Sequence, residues 1–147
     1  MTGPLVRVEN LTVALPKGGD RAHAIENVSF TVDPGEILCV VGESGSGKSV
    51  AASTLMGLLP RGLKIASGKA IVEGENIADL DEERLRDLRG REIAMIFQEP
   101  LSALNPLMRV GDQIVELVEA HNAYPGAAGR QRILDLFSYV GLPDPPR

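Results

Sequence analysis

The sequence has few aromatic side chains, a single cysteine and no tryptophan. Phe and Tyr make up 3% of its 147 residues, so surfaces that stack single-stranded nucleic acid bases are scarce. The formal net charge of −5 also argues against nucleic acid as the main partner, because such proteins use basic surfaces. With one cysteine an internal disulfide is excluded, and the position of Cys39 in an apolar run predicts a buried core residue rather than a reactive thiol.

Long apolar runs are also missing. No stretch reaches the ~18 consecutive apolar residues that a membrane-spanning helix needs. The first ten residues lack the basic and apolar regions of a signal peptide. We therefore expect a protein that folds in the cytosol and that, if it meets a membrane, does so through a partner.

Strand-like segments dominate the first hundred residues. Apolar alternation predicts a strand over 6–15 with an irregularity near Asn10, and a second strand over 24–32. The runs ILCVV (37–41) and EIAMIF (92–97) are apolar without alternation, which predicts strands buried on both faces, as in a parallel sheet.

Helices and one hairpin are predicted from residue composition and from amphipathic periodicity. Small and helix-favouring residues predict a helix from residue 48 to just before Pro60, and a hairpin is predicted at Gly74. The charged run 81–91 predicts a short helix with a solvated face. Two amphipathic stretches, 110–118 and 133–140, predict helices that pack through their apolar faces, the second with a Gly141 cap. We expect one part over 1–100 and the start of a helical part over 101–147.

A glycine-rich stretch, GESGSGKS (42–49), fits the phosphate-binding pattern G-x-x-x-x-G-K-[ST]. Glycines let successive backbone amides curl around a polyanion, and the N-terminus of the following helix adds partial positive charge. Lys48 supplies a full positive charge, and the hydroxyl of Ser49 suits Mg²⁺. A turn that merely packs a strand against a helix is the weaker interpretation, because the motif lies in the expected strand–loop–helix context.

Gln98 directly follows the second apolar run. Ligands of doubly wound parallel sheets collect at the carboxyl ends of strands, where a glutamine can approach Mg²⁺ or orient a water. A plain polar residue at a strand end explains the same pattern, and by residue chemistry alone it is the simpler interpretation.

The stretches GESGSGKS and IFQEPLSALNP together resemble the nucleotide-binding subunits of ABC transporters, more narrowly the ATPases of dipeptide, oligopeptide and nickel importers. VENLTV is similar to their opening strand, and MIFQEPLSALNPLMRVGDQIVE to their Q-loop and the start of their helical subdomain. The resemblance covers nearly the whole chain. It implies an α/β fold, in which a P-loop NTPase-type core carries an N-terminal antiparallel β part and the start of a helical subdomain, with an incomplete sheet.

The resemblance also implies a site for ATP with Mg²⁺. The residues that would bind the nucleotide are Gly42, Glu43, Ser44, Gly45, Ser46, Gly47, Lys48, Ser49 and Val50. Ser49 and Gln98 would meet Mg²⁺, and Lys48 and Gln98 would be the catalytic residues. Gln98 would link the nucleotide state to the integral-membrane permease, and the loop 99–106 with the helix after it would form part of the groove for a permease coupling helix. A second ATPase subunit, identical or different, would complete the assembly, and the resemblance implies a peripheral location at the cytoplasmic face of the cell membrane.

Three features of the family are absent from these 147 residues: an LSGGQ-like signature, an apolar strand that ends in Asp-Glu, and a switch histidine, since His121 is not placed for that role. No aromatic residue that could stack adenine lies between Leu11 and Ser29, and His23, the nearest substitute, is more simply a loop residue. We therefore expect the N-terminal half of such a subunit, a fragment or a truncated product, that does not hydrolyse ATP alone.

Three functions stay open. The first is an ATPase subunit that couples ATP binding and hydrolysis to uptake of peptides or a related solute. The second is a remnant that holds nucleotide, or binds a permease or partner subunit, without hydrolysis. A small kinase or GTPase is the third, disfavoured by the Q-loop stretch and by the lack of an NKxD-like guanine reader.

Overall fold

The computed structural model describes residues 3–18, 20–99, 103–120 and 127–141. The chain divides into two compact units, Met1–Ala94 and Met95–Arg147. Among the described residues no helix is long and apolar enough to cross a bilayer. The bounds 1–100 and 101–147 expected for the two parts stay predictions.

The first unit is built on an antiparallel sheet. Its strands are β1 (Val6–Ala14), β2 (His23–Val32), β3 (Lys64–Val72) and β4 (Glu75–Asn76), in the spatial order β2-β1-β3-β4. The two predicted N-terminal strands and the predicted hairpin are confirmed. In the hairpin, Val72 pairs with Glu75, and the two residues between them, Glu73 and Gly74, both have positive φ, as tight hairpins prefer.

The irregularity predicted near Asn10 is confirmed as a bulge in β1. The pairing of β1 with β2 shifts register between Val8 and Leu11, and Asn10 has a φ of 46°. The Asn10 amide donates to Ser29 Oγ at 2.8 Å, which replaces the ladder bond lost at the bulge. Gly68 of β3 lies against the backbone of this bulge, so both neighbouring strands shape it.

Helix α1 (Lys48–Leu55) packs on this sheet. Its Val50 and Ala51 contact a buried cluster that includes Leu11, Val13 and Ile25. The helix ends earlier than the predicted stop before Pro60. The Leu58 amide donates to Ser53 O at 2.8 Å and the Gly57 amide to Thr54 O at 3.0 Å, a pairing that satisfies the last carbonyls of a helix and ends it.

Helix α2 (Glu82–Leu88) follows a 3-10 turn at Ile77–Asp79. The Asp81 side chain accepts from the Arg84 amide at 2.8 Å and so caps the helix. Leu85 and Leu88 are buried, so the predicted charged helix carries an apolar face as well as a solvated one. The hydrogen bond to Glu75, and after it the hydrogen bond to Glu92, raises the pKa of Arg84 above its ordinary value.

Arg89 joins the end of α1 to α2. Its Nε donates to Met56 O at 2.8 Å and its Nη2 to Gly57 O at 3.0 Å. Its Nη1 lies 2.8 Å from Glu82 Oε1. The backbone of Arg89 also forms a parallel bridge with Ile93. Through its side chain and its backbone, one residue therefore ties three segments of the first unit together.

The two predicted buried strands are not observed, and both predictions are wrong for the described residues. Segments 37–41 and 94–97 have no strand structure, and Ile37, Val41 and Ile96 are each 90% exposed. Cys39 is exposed as well, which corrects its predicted burial. A strand that is apolar on both faces needs hydrogen-bonding neighbours on both edges, and within the described ranges no strand pairs with either segment. The expected incompleteness of the sheet is confirmed.

The second unit contains α3 (Val110–Ala120) and α4 (Ala127–Tyr139), which contact each other. Both predicted helices are confirmed, and the amide of Gly141 donates to Ser138 O at 3.1 Å beyond the end of α4. The predicted packing holds for Ile133 and Phe137, which are buried. It is wrong for Leu117, which is 58% exposed, and for three further apolar residues that are also exposed, Val110, Leu136 and Val140. The reason is that the described part of this unit offers each helix only one neighbouring helix. His121 lies outside the described residues.

The close packing of Gly68 against the bulge predicts how a substitution there changes the free energy of unfolding. A Cβ at Gly68 would overlap the carbonyl oxygens of Glu9 and Asn10, at a φ of +83°. We expect Gly68→Ala to lower the free energy of unfolding by about 3 kcal/mol, from backbone strain plus steric overlap. The urea midpoint, at unchanged slope, measures it.

Gly74→Ala is the matched control for that substitution. Its φ is +87° with nothing within 4 Å of the added Cβ, so only the strain remains, about 1 kcal/mol. Equal losses for the two variants would contradict the proposed close packing at Gly68.

Candidate functional site

The glycine-rich loop, residues 42–47, leads directly into α1. A turn forms in it, because the Ser46 amide donates to Glu43 O at 3.2 Å. Gly45 has a φ of 78° and Gly47, the residue that caps α1, a φ of 96°. These left-handed conformations curl the loop, and they are the backbone geometry in which successive amides form an anion-binding concavity.

Gly47 also lies against β2. A Cβ at this position would overlap Ile25 Cγ2 and lie 2.7 Å from Ala24 O. Glycine is therefore required at residue 47 for two reasons, its conformation and the space available. The contact holds the loop against β2, the strand that comes before it in the chain.

The N-terminus of α1 points its free amides at this loop. The Ala51 amide donates to Gly47 O at 3.0 Å, so the amides of Lys48, Ser49 and Val50 precede the helical hydrogen-bond ladder. The first turn carries no acidic residue, which leaves the positive end of the helix dipole available to an anion. Because the Val50 side chain packs into the core, only the backbone of Val50 is available to a phosphate.

Lys48 is held at the loop by neutral oxygen atoms. Its Nζ donates to Gly42 O and Glu43 O, each at 2.7 Å, and to Ser46 Oγ at 3.3 Å. No ion pair of Lys48 is found in the part of the chain that the structure describes. Within the described residues no carboxylate therefore competes for this ammonium group beside the curled backbone, which suits a polyphosphate.

Arg21 is a site residue that sequence reasoning missed. It comes from the loop between β1 and β2, and its Nη1 donates to Gly45 O at 3.2 Å. The two residues are 24 positions apart, and no motif marks such a contact. His23, considered only as a substitute for an aromatic residue, is the first residue of β2, and its Nδ1 lies 3.6 Å from Glu26 Oε1.

The structure brings together the predicted residues 42–50 in one loop and helix start. Ser49 is exposed on the first turn of α1. Gln98 belongs to the second unit, where it is exposed in a bend, and its role stays a prediction. The described residues contain no group of three His, Cys, Asp or Glu side chains that could hold a metal ion. A hydroxyl such as Ser49 fits Mg²⁺ only as one ligand among phosphates and waters, as Mg²⁺ commonly binds.

Gln113 is a second residue that the sequence did not reveal. From α3 its side-chain amide clamps the preceding loop: Oε1 accepts from the Asn105 amide at 2.9 Å, and Nε2 donates to Asn105 O and Met108 O at 3.1 and 3.2 Å. Leu107, inside the clamped loop, is 93% exposed. The second unit thus presents an apolar side chain on a fixed loop.

The fit at Gly47 yields a testable prediction. Gly47→Ala forces a Cβ into Ile25 and Ala24, so the loop must move off β2, and we expect the affinity for ATP to fall at least about tenfold, as loss of one or more charge-assisted bonds would cause. Isothermal titration calorimetry measures it.

Gly45→Ala serves as the control, because its φ is +78° but nothing lies within 4 Å of the added Cβ. We expect a smaller loss than for Gly47→Ala. If both variants bound ATP as tightly as the parent protein, the loop geometry would not matter for binding.

Comparison with known proteins places this loop in a family. A sequence model of the ABC transporter family matches residues 25–146. The peptidoglycan transport ATP-binding protein YejF of Agrobacterium fabrum is 46% identical over 147 residues, which are 99% of this chain and 27% of that protein. The dipeptide transport ATP-binding protein DppD of Lactococcus lactis subsp. cremoris is 44% identical over 141 residues, 95% of this chain and 40% of that protein. The chain thus spans less than half the length of these relatives.

Solved structures agree with the family match. The dimeric structure of MJ0796, a bacterial ABC transporter cassette, superimposes with a TM-score of 0.75 at 26% identity and covers 95% of this chain and 58% of that chain. A post-hydrolysis state of the same ATP-binding cassette, bound to ADP and Pi, gives a TM-score of 0.73 at 25% identity over the same shares. The chain therefore belongs to the ABC transporter family and has the α/β fold of its ATP-binding cassettes.

Proposed function

We propose that this chain binds ATP and that, assembled with a membrane permease and a second ATPase subunit, it couples ATP hydrolysis to the uptake of peptides or a related solute. The observation that carries the proposal is the curled loop 42–47 with Lys48 against it. The solute class is supported by relatives named for transport of dipeptides, oligopeptides and peptidoglycan. Localisation at the cytoplasmic face of the membrane follows from the permease partner.

Each part of the loop has its own role toward the triphosphate. The backbone of 42–47 and the amides of Lys48, Ser49 and Val50 donate hydrogen bonds to phosphate oxygens. Lys48 exchanges its bonds to Gly42 O and Glu43 O for the outer phosphates and neutralises their charge. The side chains of Glu43, Ser44 and Ser46 are exposed, so Ser46 Oγ can add a donor at the rim.

Mg²⁺ would be held by Ser49 and Gln98 together with phosphate oxygens. When bound, the ion neutralises charge that develops on the phosphates during transfer. The Ser49 hydroxyl, exposed on the first turn of α1, provides an oxygen ligand close to the phosphate-binding amides. Gln98 follows a segment that carries exposed apolar side chains. The loop proposed to contact the permease comes next in the sequence, so a glutamine that binds the ion would link the nucleotide state to that loop.

The permease would contact the loop clamped by Gln113. Leu104, Leu107 and Met108 of this loop are exposed, and Gln113 fixes the backbone that carries them. An amphipathic helix of a membrane subunit is the matching partner, because it can bury these side chains against its apolar face.

Nucleotide binding without hydrolysis is the second candidate function. It is favoured by the lack of an apolar strand that ends in Asp-Glu within these 147 residues. Without a general base and a metal-holding carboxylate, the chain by itself should bind ATP but not turn it over.

The nucleotide site is tested by Lys48→Ala. We expect a loss of Mg-ATP affinity of about 10- to 100-fold, the size expected for hydrogen bonds from a charged group, measured by titration calorimetry. Lys69→Ala, an exposed lysine on β3, is the control for removal of one positive charge and should leave the affinity unchanged. Equal affinity of the Lys48→Ala variant and the parent would sink the proposal.

Phosphate release from the same samples separates the two candidate functions. Turnover by this chain alone that disappears in the Lys48→Ala variant would show that the acidic groups of the family are not required here. Binding without turnover, and turnover on addition of a complete partner subunit, would agree with the ATPase assignment.

The permease contact is tested by Gln113→Ala. Loss of the clamp frees the loop around Leu107, so we expect at least about threefold less permease retained in co-purification, an effect of lost preorganisation, with ATP affinity unchanged. Gln131→Ala is the matched control, because Gln131 bonds Asp135 within α4. Unchanged permease retention in the Gln113→Ala variant would contradict this contact.

A further inference from the structure

Helix α1 is short, so its two ends lie close together. It begins at Lys48, where the amides assigned to the phosphates lie, and ends at Leu55, eight residues in all. At 1.5 Å per residue the two ends are about 12 Å apart. A helix of two turns has little stability of its own. The alignment of the amides at its start therefore depends on what holds its end.

The end of α1 carries carbonyl groups for which the helix has no donor. Its last turn contains no basic residue, and the residue four positions after Met56 is Pro60, which has no amide hydrogen. Arg89, 33 residues beyond Met56, supplies the donors: its Nε donates to Met56 O at 2.8 Å and its Nη2 to Gly57 O at 3.0 Å. A guanidinium cation at the carbonyl end also interacts favourably with the helix dipole.

We propose that Arg89 is a positioning residue for the phosphate-binding site. By holding the carbonyl end of α1, it keeps the amides of Lys48, Ser49 and Val50 aligned for a polyphosphate. Its own contacts are at the opposite end of the helix, so it acts through α1 and not by touching the ligand. The proposal rests on the nucleotide-binding function proposed above.

Apolar contacts support the same end of the helix. A Cβ at Gly57 would lie 3.1 Å from Arg89 Nη2 and 3.0 Å from Leu85 Cδ2, so this end lies directly against α2. Leu55 packs against the buried cluster of Leu85 and Leu88 as well as against the cluster of the sheet. Loss of the guanidinium group would therefore leave α1 in place but less firmly held.

The two carbonyl bonds, and not the ion pair with Glu82, carry this role. Arg89 Nη1 lies 2.8 Å from Glu82 Oε1, but the Glu82 side chain is 66% exposed, and exposed ion pairs contribute little. The Arg89 side chain is only 21% exposed, and its bonds to the carbonyls have a charged donor, which makes them the stronger interaction. Substitution of Glu82 can thus be compared with substitution of Arg89.

The experiment measures the affinities for Mg-ATP and for inorganic tripolyphosphate by titration calorimetry, with the protein that carries this chain. For Arg89→Ala we expect both affinities to fall about fivefold, because the amides lose part of their preorganisation. The two losses should be equal, since the amides contact only phosphates. Arg89→Lys keeps the charge but lacks the planar group that reaches both carbonyls, so we expect a loss of about twofold.

Two control variants separate positioning from other effects. Glu82→Gln removes the ion pair and leaves the carbonyl bonds, so both affinities should stay unchanged. Gly68→Ala destabilises the same unit through its contact with the backbone of β1 and not through α1. It should lower the urea midpoint without changing either affinity, whereas Arg89→Ala should lower both quantities.

Unchanged affinities in the Arg89→Ala variant would overturn the proposal. An equal loss in the Gly68→Ala variant would overturn it too, because Arg89 would then contribute only to overall stability. If Arg89→Ala does not fold, Arg89→Lys decides by the same comparison. A parent protein that binds neither probe would overturn the nucleotide-binding function, and the role of Arg89 with it, whereas unchanged affinities in the variants overturn the role of Arg89 alone.

Discussion

The glycine-rich loop depends on one close approach, that of Gly47 to the backbone of β2. Only a residue without a side chain lets the loop rest on Ala24 and Ile25. From this contact the loop gains a fixed starting point for α1, and α1 in turn buries Val50 and Ala51 against the sheet. The contact also sets the loop beside the residues that lead into β2, which is why Arg21 can reach Gly45 O. The position of the loop beside β2, and with it the contact of Arg21, therefore depends on the space between one glycine and one strand.

Local sequence patterns predicted those features of the fold that depend on local backbone chemistry. The loop GESGSGKS, the bulge at Asn10 and the hairpin at Gly74 each depend on residues whose dihedral preferences are strong and short-range. The helices after residue 48 and over 82–88, 110–120 and 127–139 were likewise predictable from periodicity and caps. Their ends were less so, because α1 stops at a pairing of amides and carbonyls around Gly57 rather than at the proline beyond it.

Features that depend on distant partners could not be predicted. The run ILCVV has the composition of a central strand, yet a strand exists only where neighbouring strands pair with it, and composition does not carry that information. Arg21 and Gln113 were missed for a related reason. Arg21 bonds a carbonyl 24 residues away, and Gln113 bonds loop atoms up to eight residues before it. Neither arginine nor glutamine signals such bonds by its identity, so only coordinates reveal them.

Arg89 connects the end of α1, helix α2 and the segment around Ile93. Its side chain holds the carbonyls of Met56 and Gly57 and the carboxylate of Glu82, while its own backbone bridges Ile93. The anchor lies at the end of α1 opposite to the glycine-rich loop. Helix α1 is therefore held at both ends within the first unit, by Gly47 against β2 at its start and by Arg89 at its end.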